Sequence, residues 1–164
     1  PATDDRLRTI VLTDEGELDF QTWFVRRRHA DAVRAVRYEG ADDAAPAPGV
    51  IEALAEAGLV VIAPSNPYVS IGPILAVPGV METLRRRRET VVAVSPIVGG
   101  KALRGPLAGM LETLGSEASA VGVAGLLGTG GTVSVSATKS PRPAPEPPRL
   151  PCSLSEQRPR RSRR

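Results

Sequence analysis

The segment Val60-Val61-Ile62-Ala63-Pro64-Ser65-Asn66-Pro67-Tyr68-Val69-Ser70-Ile71-Gly72-Pro73-Ile74-Leu75 constrains the fold more than any other. An apolar run of strand length breaks into a small polar loop and then resumes as an apolar stretch. The same grammar returns thirty residues on, in Thr90-Val91-Val92-Ala93-Val94-Ser95-Pro96-Ile97-Val98-Gly99-Gly100-Lys101. A buried strand that ends in Ser, Asn and Gly is how open α/β sheets build ligand crevices at their strand ends. Two such edges in 164 residues point to a nucleotide or phosphate crevice.

The elements around these edges fit that frame. Arg8–Thr13 reads as a strand followed by the turn Asp14-Glu15-Gly16. Asp19–Arg28 reads as a helix, with Phe20, Trp23 and Phe24 on one face at i, i+3, i+4 spacing. Val33–Tyr38 alternates as a half-exposed strand. A turn-rich stretch, Gly40–Gly49, leads into a helix over Val50–Ala57 that Gly58 is placed to stop. Leu59–Ala63 and Thr90–Val94 read as buried strands. Between them lie a short apolar helix after Gly72 and a second helix, introduced by Pro78-Gly79, over Glu82–Arg87. Gly105-Pro106 starts a helix through Leu114, and Ser119–Ala124 opens a further unit. Helices alternating with continuously apolar strands predict an α/β fold with a three-layer, mostly parallel, Rossmann-like sheet, incomplete in this chain.

Composition divides the chain near Gly125. Residues 1–124 hold 13 Lys/Arg against 16 Asp/Glu, whereas residues 125–164 hold 8 against 2 together with seven prolines. The first part is thus expected to be the α/β domain and the second a disordered tail, since so polar a segment cannot offset its ordering entropy. The basic close, Gln157–Arg164, invites nucleic acid as a partner, but no aromatic residue for base stacking accompanies it. Nucleic acid is therefore not the expected partner. Aromatic residues make up 3% of the chain, so the core must be aliphatic. The single cysteine, Cys152, excludes an internal disulfide and fits a cytoplasmic protein. No apolar run reaches the roughly 20 residues of a membrane span. The chain begins at Pro1 without an initiator methionine and reads as a fragment. A reading-frame change would account for the switch into the tail, and another frame of the same DNA would then restore the domain.

In the Ser65–Gly72 loop, Ser65 and Asn66 supply donors past a strand end, while Ser70 and Gly72 sit near a helix start. Free N–H groups and the helix dipole there favour an anion, and Gly72 would let a phosphate approach the backbone. An equally good reading makes Ser70 an N-cap and Ser65-Asn66 an Asx-type turn. The Ser95–Lys101 loop lacks the G-x-x-x-x-G-K-[ST] pattern of a P-loop, because Ala102 follows Lys101. The runs Arg26–Arg28 and Arg85–Arg88 read as solvated helix-end charges that complement the dipole. His29, the one histidine, has no partner at nucleophile or metal spacing. Asp4-Asp5 and Asp14-Glu15 could each face a hydrated Mg²⁺, although exposed turn carboxylates explain them better.

Several motifs, in order and ungapped, resemble the 2-phospho-L-lactate transferase family. They are Ala63–Pro67, Ser70–Leu75 with Pro78-Gly79, and Val94–Lys101 with Gly105-Pro106. Thr9–Thr13, Gly16, Asp19-Phe20-Gln21, Phe24-Val25-Arg26 and Ser119–Ala124 match as well, nearest to the actinobacterial branch, over about residues 1–124. The resemblance implies an enzyme of coenzyme F420 biosynthesis. Such an enzyme transfers a phospholactyl or phosphoenolpyruvyl group from a guanosine diphosphate-linked donor to the deazaflavin FO, with GMP leaving and Mg²⁺ assisting. It implies that Ser65, Asn66, Ser70 and Gly72 line the nucleotide diphosphate region and that Gly99 and Gly100 close its other wall. The family's opening Gly-rich loop and the acidic segment linked to metal and deazaflavin are not found here. The alternatives are a non-catalytic nucleotide or nucleotide-sugar module, as in the related bacterial gluconeogenesis-factor proteins, or an inactive fragment. A chain with exposed sheet edges would also be expected to self-associate as a homo-oligomer.

Overall fold

The computed structural model describes residues 1–98, 101–102, 105–128 and 132–134. The chain opens with β1 (Arg8–Thr13) and β2 (Gly16–Asp19), joined by the two residues Asp14 and Glu15. So short a link permits only antiparallel pairing. β3 (Val33–Glu39) then lies along the other side of β1, giving an antiparallel sheet of order β2-β1-β3.

The expected helix over Asp19–Arg28 is corrected here. Asp19 belongs to β2, opposite Ile10, and the helical stretch closes as a wide π-helical turn over Thr22–Arg26. Its aromatic periodicity was nonetheless meaningful, because Trp23 is buried and its indole N–H donates to the Asp31 carbonyl at 3.1 Å. Arg28 and His29 end the turn in the left-handed region, at φ 52° and 47°. Side chains rarely adopt that conformation, at a cost on the order of 1 kcal/mol each.

Alternation gives the antiparallel sheet two distinct faces. Val11, Leu18 and Val36 point inward against Trp23 and Met110. On the outer face, Ile10 is covered by ion pairs across the strands: Arg8 with Asp19 and Glu39, and Arg37 with Glu17 at 2.8 Å.

Next come α1 (Val50–Glu56), β4 (Val60–Ile62), a second π-helical turn (Pro67–Ile71), α2 (Gly72–Leu75), α3 (Val80–Arg86) and β5 (Val91–Val94). α1 and α3 are launched by one device. Pro48-Gly49 and Pro78-Gly79 form tight turns with glycine at φ 82° and 84°, and the amides of Val50 and Val80 bond back to Ala47 and Val77. Only glycine is at ease at that angle. Gly58 does not stop α1. The helix ends at Ala57, which turns extended, and the Arg87 guanidinium takes the Leu54 and Ala57 carbonyls. Arg85 likewise donates to the Gly128 carbonyl at the end of α5. Two members of the Arg85–Arg88 run therefore cap neighbouring helices and are not simply solvated.

The chain continues with β6 (Ile97–Val98), β7 (Lys101–Ala102), α4 (Leu107–Thr113), α5 (Ala120–Leu127) and β8 (Thr132–Ser134). β4, β5 and β8 form a parallel sheet, and β6 pairs antiparallel with β7. The expectation of one mostly parallel sheet is thus replaced, among the described residues, by an antiparallel sheet, a parallel sheet and a hairpin; the α/β class holds. β5 is buried as expected through Val91 and Ala93, but β4 is not. It lies at the edge of the sheet, with Leu59 and Val61 more than half exposed. Ile71, Ala93, Ile97, Leu107, Leu111, Val123 and Leu127 make the core between α4, α5 and β5. α5 continues past position 124 to Leu127, and β8 follows it. The rest of the tail expected to be disordered lies outside the described residues.

Candidate functional site

A cavity of about 500 Å³ lies between the first π-helical turn and the segment that follows β4. One wall is Pro64, Ser65, Asn66, Val69 and Ser70, and the other is Phe20 and Phe24. Pro96, Gly105, Pro106 and Leu107 close it from the β5 side. The structure therefore brings together Ser65, Asn66 and Ser70, as their spacing suggested.

Asn66 is the pivot of its wall. Its backbone is extended, and its Oδ1 accepts from the amides of Tyr68 at 2.9 Å and Val69 at 3.3 Å. Its own carbonyl accepts from the amides of Ser70 and Ile71. Pro67 suits the first helical position because it has no N–H to leave unpaired. The N-cap is thus Asn66 and not Ser70. The amides of Tyr68, Val69, Ser70 and Ile71, expected to be free for an anion, are engaged within the turn. The Asn66 Nδ2 rests 3.4 Å from the Met110 sulfur, which fixes the amide plane. Ser70 is exposed and Ser65 half-buried, so both hydroxyls are accessible.

Gly72 has a different task from the one expected. It is absent from the cavity wall and packs on Tyr38 from β3. A Cβ there would overlap the Tyr38 hydroxyl, with the ring carbon Cζ 2.7 Å away and the Pro67 carbonyl oxygen 2.8 Å away. Its backbone is ordinary right-handed helix, so space, not conformational freedom, demands glycine. The Tyr38 hydroxyl donates to the Tyr68 carbonyl at 2.6 Å, and the Tyr68 hydroxyl meets Ser116 at 3.0 Å. Burial, with a smaller contribution from Tyr68, pushes the Tyr38 phenol up to about 12. This chain of contacts docks the antiparallel sheet onto the cavity wall.

Gly99 and Gly100 lie outside the described residues. Ser95, just before them, is buried; its Oγ accepts from the Ile97 amide at 3.0 Å, which closes a local turn. Mg²⁺ finds no fitting set of ligands among the described residues. No three acidic, His or Cys side chains cluster there, Asp5 accepts from the Ala45 amide, and Asp14 is held bidentately by Arg34. The hydrogen bond from Arg34 lowers the Asp14 pKa.

Reading by motif missed the aromatic wall. Phe20 and Phe24 stack at 5.3 Å between ring centres and 23° between planes. A signal was present: three of the five aromatic residues of the chain fall between positions 20 and 24. Core packing accounts for Trp23, but Phe24 remains 37% exposed, at the cavity.

Comparison with known proteins places this architecture. The family described as 2-phospho-L-lactate transferase CofD matches residues 1–142. The chain belongs to that family. It is 44% identical over 123 residues to a 2-phospho-L-lactate transferase of Methanopyrus kandleri, covering 75% of this chain and 39% of the relative. It is 43% identical over 134 residues to a phosphoenolpyruvate transferase of Mycolicibacterium smegmatis, covering 78% and 41%. A phosphoenolpyruvate transferase of Kitasatospora aureofaciens is 47% identical over 128 residues, covering 76% and 40%. The chain thus spans about two fifths of the length of the curated relatives it matches. Among solved structures, protein BH3568 from Bacillus halodurans superposes with a TM-score of 0.51 at 20% identity, over 75% of this chain and 39% of that one. That likeness is of fold alone. No described helix is long and apolar enough to cross a membrane.

Proposed function

We propose that this chain contributes a substrate-binding part of a transferase of coenzyme F420 biosynthesis. The reaction proposed passes a phospholactyl or phosphoenolpyruvyl group from a guanosine diphosphate-linked donor to the ribityl hydroxyl of the deazaflavin FO. The hydroxyl oxygen forms a bond to the phosphorus that carries the three-carbon group. The bond from that phosphorus to the bridging oxygen breaks, GMP leaves with the electron pair, and the hydroxyl proton is released. Such a transfer needs positioning more than a covalent nucleophile. Ser65, Ser70 and Asn66 suit that need, with two accessible hydroxyls and an amide locked in orientation beside a cavity of substrate size. Mg²⁺ stays part of the proposal, but no step is derived through it, because the described residues furnish no ligand set.

The observation that carries this reading is the convergence of Ser65, Asn66 and Ser70 on one cavity wall in a chain of this family. The test is an assay of the purified chain with FO and the guanosine diphosphate-linked donor, following the FO phosphodiester by mass spectrometry. The expected outcome is formation of that diester together with GMP. A folded chain that makes no product and binds neither substrate would overturn the proposal.

A further inference from the structure

Away from the Ser65–Ser70 cavity, a second one is built from charge. It measures about 430 Å³ and is lined by Arg85, Arg86, Arg87, Arg88, Glu89 and Thr90, where α3 gives way to β5. Thr90 precedes β5, whereas Pro96 of the first cavity follows it, so the two lie at opposite ends of that strand. The length of β5, roughly 13 Å at about 3.3 Å per residue, separates them.

The four guanidinium groups are not equivalent. Arg87 spends its whole fork on the Leu54 and Ala57 carbonyls and the Thr90 hydroxyl. Among the described residues, Arg85 donates through Nε alone, to the Gly128 carbonyl, and Arg86 through Nε alone, to Glu82. Arg88 is exposed and has no partner among them. Helix capping therefore uses Arg87 and one edge of Arg85, and it fixes both before any ligand arrives. The outer nitrogens of Arg85 and Arg86 and all of Arg88 are left over. Of the carboxylates, only Glu89 shares the lining.

Paired guanidinium donors match the oxygens of a phosphate group. The surroundings limit its size. Residues 1–124 carry 13 Lys/Arg against 16 Asp/Glu, so this surplus of positive charge is local. Glu52 and Glu56 of α1 and Glu82 of α3 are exposed on the two helices that Arg87 ties together. A long polyanion such as nucleic acid meets those carboxylates beyond the cavity, whereas a compact one does not. We propose that this cavity is a second ligand site, for a compact phosphate oxyanion, with Arg88 and the outer edge of Arg85 as its main donors. It lies outside the groups assigned to the transfer and stands independently of that reading.

Calorimetric titration of the 164-residue chain with inorganic diphosphate, at neutral pH and about 0.15 M salt, tests the site. The comparison is between the native sequence, Arg88→Gln, and a control, Arg160→Gln with Arg161→Gln, in the basic close that would attract any anion. Arg88 makes no bond to the rest of the described fold, and circular dichroism confirms that each variant is folded. Saturable binding is expected in the native chain, weakened roughly tenfold by Arg88→Gln, the loss of one charge-assisted hydrogen bond. The control is expected to bind as the native chain does. A folded native chain without saturable binding overturns the proposal. So does binding that ignores Arg88→Gln, or that the control lowers by as much.

Discussion

The two sheets of this molecule treat their outer surfaces in opposite ways. On the antiparallel sheet, the outward apolar position at the centre of β1, Ile10, lies under charge. Arg8 bridges Asp19 and Glu39, Arg37 meets Glu17, and Ile10 is left only 6% exposed beneath them. On the parallel sheet, Val61 of β4 and Leu59 just before it face solvent, and Ile74 of α2 is exposed as well. A finished sheet face alternates, apolar in and polar out, whereas a strand meant for burial on both faces does not alternate at all. Val60-Val61-Ile62 is written for burial that the described residues do not provide. The difference shows that a strand's apolar run records the environment it is suited to, which is not always the one it has.

Tyr38 is one place where the two sheets are joined, and breaking that joint has the largest expected effect. Gly72→Ala would drive a methyl into the Tyr38 ring, a side chain anchored by its hydrogen bond to the Tyr68 carbonyl, and into the backbone carbonyl oxygen of Pro67. We expect a loss of about 3 kcal/mol, at the upper end for overpacking, read as a fall in melting temperature. A melt unchanged within a degree would show that the sheets do not meet there.

Tyr38 sharpens the same contact through pH. Its folded pKa is raised above the ordinary value of 10 to about 12, so the neutral phenol is the form that the fold favours. That contribution is fully present below pH 10 and is lost as pH rises from 10 through about 12. Tyr38→Phe is expected to cost about 1 kcal/mol at neutral pH through the hydrogen bond to Tyr68, and to flatten the alkaline loss. Denaturant melts from pH 8 to 12 measure both; equal alkaline slopes in the two proteins would contradict the assignment.

The smallest effect belongs to the charged face. Its ion pairs are exposed, and pairs of this kind are worth about 0.5 kcal/mol each or less. Raising the salt concentration from 0.05 to about 1 M screens them. Destabilisation of the antiparallel sheet by no more than about 1 kcal/mol is therefore expected. A larger loss would mean that the Arg8 bridge carries more of the sheet than its exposure suggests.

How far the sequence alone reached follows from the same physics. β1, β3, β5, α1, α3 and α4 were legible to within a residue or two, because each carries a clear period bounded by Pro, Gly or a polar turn. β2 was not. Four residues, Gly16–Asp19, merged with the aromatic periodicity behind them, and only pairing with β1 separates strand from turn. At the cavity, Ser65, Asn66 and Ser70 were legible as a group because a polar loop between apolar runs is a local signal. The function of Gly72 was illegible, since the residue that demands it, Tyr38, lies 34 positions away. Arg85 and Arg87 hid their capping roles for the same reason. A charge run does not announce which distant carbonyls it will meet.

The central claim is that one cavity, walled by the aromatic turn of the first unit and the Ser65–Ser70 segment of the second, binds substrate. Hydrogen exchange of the chain with and without FO tests it most directly. The account predicts slower exchange in the peptides covering residues 20–26 and 65–72 together, with the outer strand β2 unaffected. Protection confined to one of these segments, or found only elsewhere, would contradict it.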